Sequence, residues 1–156
     1  MLKLKPFSQT SGLCGPASLK IVLGYYGVKK SERTLAKLSG ATRSKGVEAT
    51  GLVRAARKLS FMAQIKDRAT IGDIRRFIKM GVPVIVDWFS KDDGHYSVVA
   101  GIENGRIYLQ DPELGRLRSL DIETFQRVWF DFPGDVIRSP KDIIIRRLIA
   151  ISMKKN

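Results

Sequence analysis

The single cysteine of this 156-residue chain stands where it could act as a nucleophile. It lies in the segment Gln9-Thr10-Ser11-Gly12-Leu13-Cys14-Gly15-Pro16-Ala17, directly before a run of apolar residues. Proline is well tolerated in the first turn of a helix, so Pro16 predicts that the Cys14 thiol lies at a helix N-terminus. The unpaired N–H groups and the dipole at that end stabilise a thiolate, which is the reactive form of cysteine.

The only histidine, His95, is the natural partner for such a thiol. Imidazole titrates near neutral pH, so a nucleophilic Cys/His pair in this chain can only be Cys14 with His95. Each residue also has an ordinary interpretation, because free cysteines are often buried and histidines in strands often have structural roles. Gly12, Gly15 and Gly94 favour the catalytic interpretation, since glycines keep bulk away from both side chains, as an approaching substrate carbonyl requires.

Other kinds of site have less support in the sequence. One cysteine and one histidine without closely spaced acidic residues do not make a metal cage, so we expect no metal ion. The glycine spacings match no nucleotide-binding loop, and we expect no cofactor. Asp92 and Asp93 lie near His95 and could orient its ring, but as neighbours in a turn we expect them to be solvated.

The elements that must position Cys14 lie in the first half of the chain. Residues 15–26 are apolar almost all round apart from Lys20, which predicts a buried helix that ends at Gly27. A second short helix should follow Ser31. Apolar residues at helical spacing predict two amphipathic helices, over 52–59 and 71–78. Thr70 and Asp73 resemble a capping box for the second of these.

The elements that must position His95 follow Pro83, where β-branched and aromatic runs alternate with turn residues. Strands are predicted over 84–89, 95–102 and 106–110, and the dense turns between them indicate antiparallel hairpins. A later helix over 122–129 should be capped by Asp121, and residues 147–153 form either a last strand or a basic helix. These elements predict a single α+β domain over residues 1–156, with a mainly helical lobe at 1–80 and a mainly β lobe at 81–156.

Three motifs in this order resemble a known family. The order Gln-x4-Cys-Gly-Pro-Ala between Gln9 and Tyr26 runs into the apolar helix, and it is followed by Gly94-His95-Tyr96-Ser97-Val98-Val99 and by Asp111-Pro112. Over roughly residues 5–131 the chain is similar to the bacteriocin-processing peptidases that remove double-glycine leaders, which are papain-like cysteine peptidases. The resemblance implies a papain-like fold in which the nucleophile helix packs on a C-terminal antiparallel sheet.

The resemblance also implies roles for four residues. Cys14 would be the nucleophile, His95 the general base and then the general acid, Asp111 the residue that orients His95, and Gln9 a donor to the oxyanion hole. The implied activity is hydrolysis of a peptide or amide bond through a thioacyl intermediate, which an amine could also take up in a transamidase variant. The chain departs from the exporter-linked members in two ways: Gln9 is one residue closer to the cysteine, and Leu13 replaces an acidic residue.

The turn between the second and third predicted strands decides whether Asp111 can reach His95. A three-residue loop over 103–105 would pair Ile102 with Arg106 and place Asp111 opposite Ser97, on the face that carries His95. We expect this register. A two-residue turn would send Asp111 to the other face unless a β-bulge restores the alternation.

The charge distribution suggests partners other than a peptide or protein substrate. Residues 1–80 contain 17 basic and 4 acidic residues, and residues 81–156 contain 11 of each, so the first half carries the whole net charge of +13. This excess could steer an acidic partner to the helical half. It also leaves two alternatives to an enzyme: a papain-like peptide-binding module without catalysis, and a basic nucleic-acid-binding domain, for which the sequence shows no recognition motif.

The sequence also bears on location. No stretch reaches the roughly 18 apolar residues that span a bilayer, and the N-terminus lacks the apolar core of a signal peptide. A single cysteine suits a reducing compartment. We therefore expect a cytoplasmic protein without a transmembrane segment and without the membrane-spanning and ATP-binding domains of the exporter-linked relatives.

Overall fold

The computed structural model describes residues 1–155 as a mixed α+β fold. Five α-helices are present in this part of the chain: α1 (Cys14–Tyr25), α2 (Glu32–Ser39), α3 (Ala49–Lys58), α4 (Ile71–Lys79) and α5 (Ile122–Val128). The eight strands are β1 (Phe61–Lys66), β2 (Val84–Ser90), β3 (Asp93–Glu103), β4 (Arg106–Asp111), β5 (Arg116–Asp121), β6 (Phe130–Asp131), β7 (Ile144–Ile145) and β8 (Arg147–Met153). A short 3-10 helix spans Pro140–Asp142.

Six strands form one antiparallel sheet in the order β1-β8-β2-β3-β4-β5, and β6 pairs only with β7 within residues 1–155. The C-terminal strand β8 lies between β1 and β2. Its residues Leu148–Ile151 are buried, as both faces of an interior strand require. The strand β1, from the first half of the chain, therefore belongs to the same sheet as five strands that follow residue 80.

The alternation of side chains along the strands builds a core on each face of the sheet. Ile85, Val98 and Ile149 belong to a cluster that also contains apolar residues of α1, α2 and α3. Val86 and Leu109 belong to a second cluster, with side chains of α4 and α5. The buried helix α1 therefore packs on one face, and the shorter helices α4 and α5 cover the other.

Most of the predicted helices are confirmed. Ser31 is the N-cap of α2 and accepts a hydrogen bond from Thr34 N–H, and Thr70 and Asp73 form the predicted capping box of α4. Asp121 occupies the N-cap position of α5, but its side chain does not cap the helix. It pairs with Arg106 at 2.7 Å instead.

The strand predictions are less complete. The predicted strands over 84–89, 95–102 and 106–110 are confirmed as β2, β3 and β4, and residues 147–153 form a strand, not a helix. Besides the two-residue strands β6 and β7, two strands of the main sheet, β1 and β5, were not predicted. Neither has a buried apolar run, because β1 alternates polar and apolar residues and β5 is exposed or half-buried along its length. Their strand structure depends on pairing with neighbours that the local sequence does not reveal.

None of the helices in the described residues has the length and apolar character needed to cross a bilayer.

Candidate active site

Cys14 is the first residue of α1, as predicted. Leu13 occupies the N-cap position and makes no side-chain cap, and α1 has no acidic residue among the described residues of its first turn. The first-turn N–H groups therefore remain without a competing side-chain acceptor at the end where the helix dipole is positive. Cys14 is half-buried, so its thiol lies at the surface of the core and not inside it.

The glycines around Cys14 do not leave space for a substrate, as had been predicted, but allow close packing of the chain. A Cβ at Gly12 would collide with the backbone carbonyl of Arg43, and Gly12 has a φ of +83°. A Cβ at Gly15 would collide with the side chain of Val47. These glycines therefore allow the segment around residues 42–47 to pack closely on the start of α1, and the prediction that they leave room for a substrate is not what the contacts show.

His95 lies near the beginning of β3, where it is buried with 6% of its surface exposed. Its Nε2 lies 2.6 Å from Oδ1 of Asp111, and its ring meets that of Trp88 edge-on at a centroid distance of 5.9 Å. Burial alone would lower the pKa of His95, but hydrogen bonds to Asp111 and Cys14 and the negative charge of both outweigh it and raise the pKa to about 9. Because Asp111 engages Nε2, Nδ1 is the ring nitrogen left for the thiol.

Asp111, at the end of β4, is fully buried. Its Oδ1 also accepts a hydrogen bond of 2.9 Å from Glu113 N–H, and its Oδ2 accepts one of 3.0 Å from Arg118 Nη1. Burial would raise the pKa of Asp111, but the hydrogen bond and charge of His95, aided by these donors, hold it below its usual value. A buried carboxylate with these partners stays ionised and fixes the His95 ring.

The register between β3 and β4 brings His95 and Asp111 together by a different route from the one predicted. Glu103 pairs with Arg106, so the turn has two residues, Asn104 and Gly105, and the expected three-residue loop is wrong. Both turn residues have positive φ, 52° and 74°, which is the backbone of a type I′ turn. A bulge between Val99 and Gly101 then shifts the register by one residue.

The bulge restores the register that the site needs. Beyond it Val98 pairs with Gln110, which places Asp111 opposite Ser97 and on the face that carries His95. The predicted position of Asp111 is therefore confirmed, although the turn that was to produce it is not present. Asp92 and Asp93, the competing candidates, are exposed, and Asp93 instead accepts a hydrogen bond from Gly94 N–H.

Arg118 is a site residue that sequence analysis missed. It lies on β5, with one nitrogen on Asp111 and its guanidinium carbon 5.2 Å from the centroid of the Trp88 ring. The sequence offers no clear signal for it, because β5 itself was not predicted and one arginine among many does not stand out. Trp88 and Trp129 are both buried in the core.

Gln9 lies in the segment that precedes α1. Its backbone N–H donates to the carbonyl of Pro112 at 2.9 Å, so it is held beside the residue that follows Asp111. The next residue, Thr10, is bound to Glu32 through its N–H and its hydroxyl. Oε1 of Gln9 is buried and accepts no hydrogen bond from residues 1–155. The oxyanion-hole role of Gln9 stays a prediction.

Two further carboxyl groups near the site were also missed. Asp87 is 2% exposed on β2, where its Cα pairs with Tyr96 of β3 and Arg147 of β8. Burial, and then a hydrogen bond to Asp131, raise the pKa of Asp87 well above its usual value. A charged residue inside the buried run Val84–Trp88 is the sequence signal that could have identified it.

One group of side chains in residues 1–155 could in principle hold a metal ion. It consists of His95, Asp111 and Glu113, whose possible ligand atoms lie within 4.8 Å of one another. The sequence predicts Asp111 beside His95, but it gives no indication of Glu113. The 2.6 Å between Nε2 and Oδ1 is the length of a hydrogen bond, so these two atoms already satisfy each other. Glu113 is half exposed and 3.9 Å from Nε2.

Comparison with known sequences gives a consistent result. A model of the peptidase C39 family matches residues 7–132. An uncharacterized protein of Methanothermobacter marburgensis is 36% identical over 134 residues, which cover 83% of each chain. The transport/processing ATP-binding protein ComA of Streptococcus pneumoniae is 33% identical over 119 residues, which cover 74% of this chain but 16% of ComA. The chain therefore corresponds to a small part of that transporter.

Solved structures share the fold. The peptidase domain of Streptococcus ComA superposes with a TM-score of 0.75 and 27% identity, covering 99% of this chain and all of that one. A double glycine motif protease from an AMS/PCAT transporter, solved in complex with its leader peptide, has a TM-score of 0.75 and 22% identity, covering 98% and 94% of the two chains. The six-stranded sheet with its N-terminal helix is thus the fold of C39 peptidase domains, which confirms the predicted papain-like architecture.

Proposed function

The chain belongs to the peptidase C39 family, and we propose that it is a cysteine peptidase that cleaves a peptide bond through a thioacyl intermediate on Cys14. One observation carries the proposal above the others. The thiol at the N-terminus of α1 is close enough to His95 to help raise the pKa of that histidine, and Nε2 of the same ring lies 2.6 Å from a buried carboxylate. This arrangement favours a thiolate beside an imidazolium, which is the reactive state of such a pair.

The reaction follows from these positions. The Cys14 thiolate attacks the carbonyl carbon of the scissile bond, and the carbonyl oxygen takes up the negative charge. N–H groups at the start of α1 and the Gln9 amide would bind this oxygen, an interaction worth about 3 to 4 kcal/mol in other enzymes. His95 then donates a proton to the leaving nitrogen as the C–N bond breaks, which leaves a thioester on Cys14 and a free amine.

The second half of the reaction releases the acyl group. The now neutral His95 accepts a proton from a water molecule, whose oxygen attacks the thioester carbonyl. The C–S bond breaks, the carboxylic acid leaves, and the thiolate–imidazolium pair is restored. Throughout, Asp111 keeps the ring oriented and stabilises its charged form, and Arg118 holds the second oxygen of that carboxylate.

The substrate class follows from the family. The relatives include peptidase domains, one of them bound to a leader peptide, and a peptide or protein substrate is the proposal for this chain. An acidic partner on the basic helical half is a separate proposal, tested below.

A thiol-reactive peptide probe tests the proposed function. We expect a peptide vinyl sulfone to label wild-type protein at Cys14, with no labelling of Cys14→Ala and at least tenfold slower labelling of His95→Ala. A matched control is Asp92→Asn, an exposed change next to β3 that should leave the rate unaltered. Equal rates for wild type and His95→Ala would indicate an ordinary surface thiol and a protein that binds peptides without cleaving them.

A second experiment tests the thioacyl intermediate. When peptides are cleaved in the presence of hydroxylamine, the amine attacks the thioester and yields a hydroxamate in place of the acid. We expect mass spectrometry to detect this product only with an intact Cys14. Cleavage without any hydroxamate would contradict a thioacyl route, and transfer to a peptide amine in place of water would identify a transamidase.

A further inference from the structure

Asp87 and Asp131 are the strongest feature of the molecule that the proposed mechanism does not use. Asp87 is 2% exposed, and no N–H or O–H group among residues 1–155 donates to its Oδ1. Its carboxyl group is hydrogen-bonded to that of Asp131. Two carboxylates repel each other and have no hydrogen to share, so this contact requires a proton on one of them.

Asp131 also touches the segment that carries His95. Its carboxylate oxygens fill the space beside Gly94, where any Cβ would collide with them. Its Oδ1 accepts the Phe132 N–H at 2.7 Å, which fixes the carboxylate on the short strand β6. The prediction that Gly94 leaves an opening for substrate is therefore wrong. The space beside Gly94 is occupied by the Asp131 carboxylate.

An aromatic stack holds β6 in this position. The ring of Phe89, on β2, lies between those of Phe130 and Phe132, at centroid distances of 5.2 and 5.4 Å and with nearly parallel planes. Phe130 and Phe132 flank Asp131 in the chain. The stack and the carboxyl pair thus join β6 to the end of β2 and to the start of β3.

We propose that Asp87 and Asp131 are a proton-sharing carboxyl pair that positions the Gly94–His95 segment beside Cys14, with the proton on Asp87 so that Asp87 itself adds no negative charge beside the thiolate. This inference rests on the proposed function of Cys14 and His95. Asp87 and Asp131 are positioning residues, because their effect on the reaction passes through these two.

The charged groups around Asp87 are consistent with this assignment. Arg147 faces it from β8 but binds Asp67 through two nitrogens, at 2.6 and 2.9 Å, so its charge is already paired. Tyr96 faces it from β3 and donates its hydroxyl to the carbonyl of Val47. Cys14 is close enough for its thiolate to raise the pKa of Asp87, and by reciprocity an ionised Asp87 would disfavour the thiolate.

Two isosteric substitutions separate this role from packing. In Asp87→Asn the amide still donates to Asp131, so we expect vinyl sulfone labelling of Cys14 within about threefold of wild type. In Asp131→Asn the new amide can donate to Asp87, which then ionises next to Cys14. The apparent pKa of the pH profile of Cys14 labelling should rise by about one unit. At pH values below this apparent pKa, labelling should be about tenfold slower than in wild type.

Asp87→Ala removes the donor, and we expect slower labelling that Asp87→Asn largely restores. If the two asparagine variants change the labelling profile equally, or if Asp87→Asn is the slower of the two, the inference is wrong. Thermal unfolding measured in parallel identifies any variant that fails to fold, and the double variant Asp87→Asn/Asp131→Asn, which holds no charge, should recover the wild-type profile.

Infrared spectroscopy tests the pair without any reaction. Wild-type protein at pH 7 should show the C=O stretch of a protonated carboxylic acid, and Asp87→Asn should lose it. Absence of this band from wild type overturns the inference even if Cys14 is reactive. If the band is present but Cys14 labels equally in wild type and His95→Ala, the carboxyl pair stands and the proposed peptidase function fails.

Discussion

Nε2 of His95 lies 2.6 Å from Oδ1 of Asp111, although 16 positions and a hairpin separate the two residues. The two-residue turn between β3 and β4 would by itself place Asp111 on the opposite face of the sheet from His95. The bulge between Val99 and Gly101 shifts the register by one residue and returns Asp111 to the face of His95. The Asp111 carboxylate is in turn held by Glu113 N–H and Arg118. The orientation of the histidine is thus built into the β3–β4–β5 part of the sheet.

Asp111→Asn should weaken the His95 imidazolium. Without the carboxylate, the pKa of His95 should fall from about 9 toward its usual 6.5, since an amide cannot balance the charge of the ring. A hydrogen bond to a charged group is worth about 1.5 to 3 kcal/mol, so we expect vinyl sulfone labelling at pH 8 to slow about 10- to 100-fold.

The full pH profile of labelling measures this change. Asp93→Asn, which alters an exposed carboxylate close to His95, is the matched control and should label like wild type. A profile of Asp111→Asn that keeps the wild-type alkaline limb would show that Asp111 does not govern the protonation of His95.

The titration of His95 should also appear in the stability of the protein. Its folded-state pKa of about 9 lies above the 6.5 of the unfolded chain, so the stabilisation is fully present below pH 6.5 and is lost as the pH rises to 9. The shift corresponds to about 3 kcal/mol. We expect the free energy of unfolding of wild type, measured by urea denaturation, to fall by this order between pH 6.5 and 9 relative to His95→Asn, which does not titrate. Parallel curves for the two proteins would contradict the raised pKa.

Alanine should have opposite effects on stability at two glycines, one in the β3–β4 turn and the other in α1. Gly105 has a φ of +74°, and Gly105→Ala should destabilise the protein by about 1 to 2 kcal/mol because a Cβ strains this conformation. Gly24 lies inside α1 with open space around it, and Gly24→Ala should stabilise by up to about 1 kcal/mol. Thermal unfolding of both variants checks the signs.

Labelling of Cys14 should be the same in both alanine variants. The buried faces and the bulge set the register at Asp111, and the turn itself lies at the other end of the hairpin. Loss of labelling in Gly105→Ala would mean that the turn, and not the bulge, aligns His95 with Asp111.

The basic helical half should bind acidic partners through long-range electrostatics. A groove of about 610 Å³ beside α3 is lined in part by Arg54, Arg57 and Lys58. Arg54 and Arg57 donate hydrogen bonds to the carbonyls of Ser39 and Ala63, so reversing their charge would also damage the fold. The exposed residues Arg33, Lys37 and Lys58 are better targets.

Changing these three residues to glutamate should slow the association of a poly-glutamate peptide and reduce its salt dependence, with Cys14 labelling unchanged. The matched control reverses three exposed basic residues of the second half, Arg127, Arg138 and Lys141, for the same change in net charge. An equal effect of both triple variants would indicate a response to net charge alone. If wild type does not bind the peptide, or if its binding does not depend on salt, the proposal that the basic helical half binds acidic partners is wrong.

The sequence alone was sufficient to identify the buried helix that begins at Cys14 and to single out Cys14 and His95 as the candidate pair. Cys14 and His95 are each the only residue of their type, and the apolar run with Pro16 near its start requires a buried helix that begins at the thiol. The capping box of α4 and the three strands around His95 are equally local, because their signals lie within a few neighbouring residues. The motifs that resemble the family supplied Asp111 and Gln9.

Only the tertiary structure decided how these residues are held. The bulge that aligns Asp111 carries no local signal, and Arg118 reaches Asp111 from a strand whose own sequence does not predict it. The Asp87–Asp131 pair joins positions 44 residues apart, and its protonation depends on burial that no short segment determines. Residue type and helical period are properties of the chain, whereas register, burial and the pairing of charges arise only when distant segments pack together.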